Sequence, residues 1–291
     1  MTQLLAFDDE RALAERLAEA LNWRLAFVQR HRFPDGEVRL TLPETLSPRT
    51  CLLRGLQQPA EKLGELLLTA PALREAGAEH LVLVSPYLAY MRQDIAFNPG
   101  EVVSQRVLGR QLAAWFDAVV TVDPHLHRVA TMDEVVPGRR GVALSAAAPI
   151  GDWIAAHEPE AVLIGPDEEA MQWVEVAARR HGLPHGVGRK LRRGDRDVAV
   201  SLPDVDIAGR AVVLVDDVAS TGRTLVVATH EALARGARSV DVAVTHALFI
   251  GDAVEQLCAA GVRHVWSTDS VPHASNVISI VPLLAEALRG A

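Results

Sequence analysis

Only two cysteines, Cys51 and Cys258, occur in the 291 residues. They lie far apart, make no metal-ligand spacing and sit among apolar residues, so buried free thiols are expected rather than a disulfide. A basic excess is also missing. Asp and Glu number 37 against 29 Lys and Arg, a formal charge of −8. A general nucleic-acid binder would usually show the reverse balance, whereas a nucleotide needs only a local basic site. No apolar run approaches the ~18 residues of a membrane helix. The start, Met-Thr-Gln-Leu-Leu-Ala-Phe-Asp-Asp-Glu, turns acidic too early for a signal peptide. A soluble cytoplasmic protein is expected, with no nucleic-acid or membrane partner.

What is present is an alternation of short apolar strands with amphipathic helices. The pattern predicts strands over 50–54, 81–84, 119–122, 162–164, 212–215, 240–245 and 264–268, and helices over 9–21, 60–76, 101–115, 168–181, 222–235, 252–260 and 282–288. Strands that are apolar throughout are covered on both faces, which points to an α/β fold. Gly77 and Gly236 stand just past helices as stops. The halves echo each other: 81–86 resembles 162–166, and 119–123 resembles 212–216. That predicts two tandem domains, 1–145 and 146–291, joined near the Gly/Ala/Ser-rich stretch 141–148, with Pro137-Gly138 marking a loop before it.

The most informative stretch reads Val-Val-Leu-Val-Asp-Asp-Val-Ala-Ser-Thr-Gly-Arg-Thr-Leu, residues 212–225. A buried strand ends in the acids Asp216 and Asp217. A loop, Ser220-Thr221-Gly222-Arg223-Thr224, then opens a helix. Unpaired N–H groups and the positive end of the macrodipole at a helix start suit a phosphate. The hydroxyls add donors, and Gly222 lets the chain approach closely. Paired carboxylates can hold sugar hydroxyls directly or through Mg²⁺, which prefers hard oxygen ligands. The stretch therefore reads as a sugar-phosphate site, although a plain strand followed by a helix N-cap is the usual alternative for such patterns.

Other candidates lie at further strand ends. Phe33-Pro34-Asp35-Gly36-Glu37 carries a strong Asp-Gly turn signal. An aromatic ring beside two carboxylates can stack a base and accept from its amine, or can simply be a solvated hairpin tip. Arg92 and Gln93 follow a buried strand, where α/β proteins bind ligands, and Arg offers a planar fork for phosphate. His125 and His127, in Asp-Pro-His-Leu-His-Arg, can ligate metal or bond phosphate. Zinc lacks further ligands, so His125 is assigned to Mg²⁺–nucleotide and His127 to structure. Asp167 caps a helix or serves the site. The run Arg-Lys-Leu-Arg-Arg-Gly-Asp-Arg at 189–196 is the one dense basic segment; it is a solvated loop or a cationic arm that closes on a charged transition state.

Together these segments resemble the ribose-phosphate diphosphokinases, and the similarity runs nearly end to end. The motif at 212–225 is shared with type I phosphoribosyltransferases; the Phe33–Glu37, Pro86–Asp94 and Asp123–His125 segments are more specific to the diphosphokinases. The resemblance implies two phosphoribosyltransferase-like (type I) domains, each a mainly parallel sheet flanked by helices. It implies transfer of the diphosphoryl group of ATP to the 1-hydroxyl of ribose 5-phosphate, with AMP as the other product and Mg²⁺ as cofactor. By resemblance, Lys190 and Arg192 are catalytic. Phe33, Asp35, Gly36, Glu37, Arg92, Gln93 and His125 bind ATP, the first group reaching from a neighbouring subunit of a homo-oligomer. Arg192, Asp216, Asp217, Ser220, Thr221, Gly222, Arg223 and Thr224 bind ribose 5-phosphate. His125 and Asp167 hold the metal. Three departures stand out: a compact 96–101 segment, as in the shorter archaeal-type members, Arg223 where Gly is common, and His127 after Leu126. The rival readings are a phosphoribosyltransferase, which leaves the Phe33 turn and Lys190-x-Arg192 unexplained, and a non-catalytic homologue, which would have lost catalytic residues.

Overall fold

The computed structural model describes residues 2–192 and 198–290, and for 190–192 and 198–200 it describes the backbone. The chain divides into two compact units, Met1–Leu144 with Val281–Ala291, and Ser145–Ile280.

The first unit runs β1 (Thr2–Phe7), α1 (Arg11–Leu21), β2 (Arg24–Arg32), β3 (Val38–Thr41), β4 (Arg49–Leu53), α2 (Pro59–Glu75), β5 (His80–Ser85), α3 (Ser104–Trp115), β6 (Ala118–Val122), α4 (Met132–Val135) and β7 (Arg140–Leu144). Its sheet has the order β3-β2-β1-β4-β5-β6-β7, parallel except for the β2–β3 hairpin. The second unit runs α5 (Ala147–His157), β8 (Val162–Gly165), α6 (Met171–Arg179), β9 (His185–Val187), β10 (Arg189–Arg192), β11 (Val198–Ser201), β12 (Ala211–Ala219), α7 (Arg223–Ala234), β13 (Ser239–Ala247), α8 (Ala253–Ala259), β14 (Val262–Thr268) and β15 (Asn276–Ile278). Its parallel sheet has the order β15-β14-β13-β12-β8-β9, and β10 with β11 forms a separate antiparallel pair. A final helix, α9 (Val281–Arg289), belongs to the first unit.

The interior strands are the apolar runs. Leu81–Ser85, Ala118–Val122, Val162–Gly165 and Ala211–Val215 are buried at every position, so both sheet faces are covered, as the continuous patterning requires. Strands nearer the edge, such as β2 and β7, are half-exposed and mixed in composition, and their short apolar runs, 25–28 and 142–144, were not read as strands. Cys51 is buried as expected, but Cys258 is exposed on α8, because it faces away from the buried Ala253 and Leu257 of that helix.

Both units repeat one topology, β2-β1-β4-β5-β6-β7 in the first and β9-β8-β12-β13-β14-β15 in the second. After the first strand, each has one 3₁₀ turn, Asp8–Glu10 or Glu168–Ala170, leading into its helix. The repeat is in a different register from the one read in sequence. The strand at 81–85 matches β13 rather than β8, and the strand at 118–122 matches β14 rather than β12. Short buried strands of a parallel sheet share one composition, so local likeness between them does not fix correspondence.

The C-terminal helix corrects the expected second domain of 146–291. α9 packs on α1 and β7, and α5 packs in the same way on α6 and β15. It buries Val281, Leu284, Ala285 and Leu288, while Arg289 donates to Ala20 O at 2.7 Å at the end of α1. The expected linker at 141–148 is instead the strand β7 and the start of α5. Gly151 lets α5 approach α6, since a Cβ there would lie 2.2 Å from Ala177 O.

A charged cluster lies at the carboxyl ends of β1 and β4, with Arg54, Glu10, Lys62 and Glu65 buried and Asp9 and Arg30 at its exposed side. Arg54 is fully buried; its Nη1 donates to both oxygens of Asp9 at 2.8 Å and its Nη2 pairs with Glu65. The guanidinium lies 4.4 Å above the Phe7 ring. Glu10, Lys62 and Arg30 complete the cluster, with Arg30 also pairing with Glu65. A buried guanidinium needs this set of carboxylates, because an unpaired charge in the interior costs several kcal/mol.

Candidate functional site

In the second unit the sugar-phosphate motif is built locally. β12 carries Asp216 and Asp217 near its carboxyl end, and the chain then turns through Ser220–Gly222 into α7. Gly222 is the N-cap with φ +69°, a conformation that costs little only for glycine. The Ala219 carbonyl accepts from Leu248 and Phe249 N–H at 3.0 Å, and the Ser220 carbonyl accepts from Ile250 N–H at 3.0 Å. The loop is thereby fixed from its carbonyl side. The first N–H groups of an α-helix have no intrahelical acceptor and form an anion site with the macrodipole. Thr221 and Arg223 are exposed, and Arg223 is the first residue of α7.

Asp216 is pushed well above the usual carboxylate range, first by burial and then by the negative charges of Asp217 and Asp167. Asp217 N–H donates to Asp216 Oδ1 at 3.0 Å. Asp167 follows β8 and accepts from Glu169 N–H at 3.1 Å as the cap of the following turn. Three carboxylates crowded enough to favour protonation of one of them fit a hard divalent cation with oxygen ligands, or a polyol donating hydroxyls.

In the first unit two strand-end loops carry the candidates. The loop after β5 contains exposed Arg92 and half-buried Gln93, with Gln105 N–H donating to Gln93 O at 3.2 Å. The loop after β6 contains His125 and His127, whose rings meet edge-on with centroids 3.9 Å apart. His127, read as structural, is therefore the direct ring partner of His125. Tyr90, with φ +64°, and Asp123, with φ +37°, are non-glycine residues held in the left-handed region in these two loops. Such strain persists only where surrounding structure imposes it, and clusters at functional sites.

The Phe33–Glu37 segment is the tip of the β2–β3 hairpin. Phe33 N–H donates to Glu37 O at 2.8 Å, Gly36 N–H to Phe33 O at 3.0 Å, and Glu37 N–H to Asp35 Oδ1 at 3.1 Å. Gly36 has φ +95°, which explains the glycine. Phe33 is exposed, with the edge of the His31 ring 4.8 Å away by centroids. The hairpin leaves β2, whereas Arg92 leaves β5, with β1 and β4 between them. Three strand spacings amount to roughly 14 Å. The strands from which the turn and Arg92 lead are thus three spacings apart in the sheet.

Lys190 and Arg192 lie on β10, with Lys190 paired to Val200 and Arg192 to Val198. Their side chains lie outside the described residues, as do residues 193–197 of the basic run. Sequence reading held Asp94 only as the end of the Pro86–Asp94 segment and gave neither it nor Arg128 a role; the two are a carboxylate and a guanidinium joined at 2.7 Å across the two loops of the first unit.

A model of the N-terminal domain of ribose phosphate pyrophosphokinase matches residues 2–115, and a phosphoribosyl transferase domain model matches residues 146–275. A ribose-phosphate pyrophosphokinase of Methanopyrus kandleri is 37% identical over 290 residues, 98% of each chain. One from Halobacterium salinarum is 34% identical over 288 residues, covering 98% of this chain and 100% of that protein. Among solved structures, a phosphoribosylpyrophosphate synthetase from Mycobacterium smegmatis shares the fold with a TM-score of 0.86 at 24% identity, over 99% of this chain and 98% of that one.

Proposed function

The chain belongs to the ribose-phosphate pyrophosphokinase family, and we propose how its residues divide the work of making 5-phospho-α-D-ribose 1-diphosphate and AMP from ribose 5-phosphate and ATP. The enzyme is a transferase, EC 2.7.6.1, of nucleotide biosynthesis. The observation that carries the division is the pairing of Asp216 and Asp217 with the Ser220–Thr224 helix start in the second unit.

In this reading Ser220, Thr221, Gly222, Arg223 and Thr224 hold the 5-phosphate by hydroxyl, backbone and guanidinium donors. Asp216 and Asp217 hold the ribose hydroxyls and fix the 1-hydroxyl for attack on the β-phosphorus. Arg92, Gln93 and His125 bind the ATP phosphates from the first unit. Lys190 and Arg192 neutralise charge on the transferred group and the departing AMP. Such transfers depend on alignment and charge stabilisation rather than on covalent help from the protein. Mg²⁺, for which His125 and Asp167 are the proposed ligands, would polarise the phosphates when bound. The crowding at Asp216 supports a cation there.

Phe33, Asp35, Gly36 and Glu37 are assigned to adenine, supplied to a neighbouring subunit. Their separation from Arg92 along the sheet supports that, as does an apolar surface groove of about 430 Å³ with Leu63, Leu67, Tyr90, Val102, Val107 and Trp115, part of it exposed. A homo-oligomer covers such a surface. No described helix is long and apolar enough to cross a membrane.

The test is to incubate the protein with ATP, Mg²⁺ and ribose 5-phosphate. AMP is expected in step with phosphoribosyl diphosphate. Consumption of phosphoribosyl diphosphate with a nucleobase, and no AMP, would overturn the reading. Lys190→Ala is expected to keep ribose 5-phosphate binding and lose turnover.

A further inference from the structure

Asp94 is a buried acid in a stretch whose neighbours face solvent. Its side chain is 2% exposed, directly after exposed Arg92 and half-buried Gln93. Arg128 Nη1 donates to Asp94 Oδ1 at 2.7 Å, while Asp94 Oδ2 has no hydrogen-bond partner among the described residues. A carboxylate with a free lone-pair oxygen is withdrawn from water here for the sake of one bond. That is costly unless the bond fixes something.

What the bond joins is specific. Arg128 is the residue after His127 in the loop leaving β6, and Asp94 is the residue after Gln93 in the loop leaving β5. These loops are already tied at their base, where Val122 N–H donates to Pro86 O at 3.3 Å. The Asp94–Arg128 pair ties them a second time, beyond the functional residues of both. The Arg92-Gln93 segment is also held from α3, by Gln105 N–H on Gln93 O and by Gln105 Nε2 on Met91 O at 3.4 Å. Arg128 is 51% exposed, so packing does not immobilise it; the charge-assisted bond does. Its guanidinium also lies 5.8 Å from the Phe97 ring centroid, on the segment that follows Asp94.

We propose that Asp94 is a positioning residue for nucleotide, and that its ion pair with Arg128 locks the Arg92-Gln93 and His125 loops into one preorganised ATP-binding surface. The inference rests on the assignment of Arg92, Gln93 and His125 to ATP made above. Asp94 touches neither substrate. It sets the spacing between the residues that do, so its loss weakens ATP binding without removing a group from the reacting centre.

The experiment measures kcat and KM for both substrates in the Mg²⁺-loaded enzyme. Asp94→Ala is expected to raise KM for ATP about tenfold, with kcat at saturating ATP and KM for ribose 5-phosphate moved by less than about twofold. Asp94→Asn keeps an acceptor for Arg128 and is expected to recover most of that loss. Arg128→Gln, made from the half-exposed side, tests the same bond if Asp94→Ala folds poorly. The double variant is expected to be no worse than Asp94→Ala, because both changes remove one interaction. An unchanged KM for ATP in Asp94→Ala and Arg128→Gln overturns the proposal. So does a joint shift of both KM values and kcat with lowered Tm, which marks a structural role only. Arg92→Ala separates the two levels. If it raises KM for ATP while Asp94→Ala does not, the positioning inference alone fails; if it leaves KM for ATP unchanged, the nucleotide assignment fails.

Discussion

Arg54 stands in the first sheet at the register position that Asp217 holds in the second. β1 pairs Leu4 with Cys51 and β8 pairs Ile164 with Leu214, and the turns after β1 and β8 begin at Asp8 and Glu168. Counting along the matched strands sets Leu53 against Asp216 and Arg54 against Asp217. The same alignment sets Phe7 against Asp167. Where the second unit presents crowded carboxylates, the first presents a guanidinium over an aromatic ring, locked by Asp9 and Glu65. The residues that follow, Gly55-Leu56-Gln57-Gln58, carry no hydroxyl. One topology thus yields the acids and helix start proposed to bind ribose 5-phosphate in one unit and an ion cluster around a buried guanidinium in the other.

Arg54→Ala strands Asp9, Glu10 and Glu65 without their main counter-charge. The expected cost is about 3–5 kcal/mol, the range for breaking a buried ion pair from one side. Denaturant titration checks it. A loss below about 1 kcal/mol would mean that the guanidinium is solvated rather than buried.

Glu10 in the same cluster titrates near neutrality. Burial raises its pKa to about 7, against the opposing pull of Arg54 and Lys62. A carboxyl that binds its proton more tightly folded than unfolded contributes stability that is full below the unfolded pKa and lost as pH rises through the folded one. The fall therefore lies between about pH 4.5 and 7 and reaches roughly 3 kcal/mol at ~1.4 kcal/mol per unit. Glu10→Gln is expected to flatten Tm against pH across that window. An unaltered profile would exclude Glu10 as its source.

At the sugar-phosphate site, stability and activity are expected to move in opposite directions. Asp216→Asn relieves the repulsion among Asp216, Asp217 and Asp167, so the ligand-free protein should gain Tm at pH 7–8. The same change should lower kcat/KM for ribose 5-phosphate by about 100-fold, the order found when one fixed polar contact to a reacting group is lost. Steady-state kinetics beside thermal melts read both. Loss of Tm in the ligand-free state would show that the acids are not in conflict.

How legible all this was in the sequence follows from how each feature is assembled. Asp216–Thr224 was readable because strand end, loop and helix start are contiguous. The Phe33–Glu37 turn announced itself through Asp35-Gly36. The Arg54 cluster comes from segments around residues 9, 30, 54 and 65, and the Asp94–Arg128 pair spans 34 positions, so neither leaves a local pattern. Only the start of helix α5 fell in the stretch 141–148 that read as a Gly/Ala/Ser-rich turn region, and no helix was read over 149–157. In the structure Pro149 lies in the first turn, and Gly151 makes room for α6.

That last point is testable. Alanine is the better helix former by ~1 kcal/mol, yet Gly151→Ala is expected to destabilise, because the added methyl would meet the Ala177 carbonyl. Overpacking of this kind costs about 1–3 kcal/mol, which outweighs the propensity gain. A rise in Tm would show that α5 and α6 separate freely.

Arg223 is the residue that sequence comparison left unexplained, and its place in the fold makes it testable. It opens α7 directly after the Gly222 cap and is exposed. A cation at a helix N-terminus opposes the macrodipole, at a cost of about 0.3–1 kcal/mol at low ionic strength. A bound 5-phosphate reverses the sign, since the guanidinium then faces an anion it can grip with two parallel bonds. Arg223→Ala is therefore expected to raise ligand-free Tm slightly at low salt, an effect that added salt removes. It should weaken ribose 5-phosphate binding about tenfold, with KM for ATP little changed. Calorimetric titration with ribose 5-phosphate at two salt concentrations measures both arms. Unchanged affinity in the variant would place the guanidinium away from the phosphate and leave the anion to the helix start, Ser220, Thr221 and Thr224.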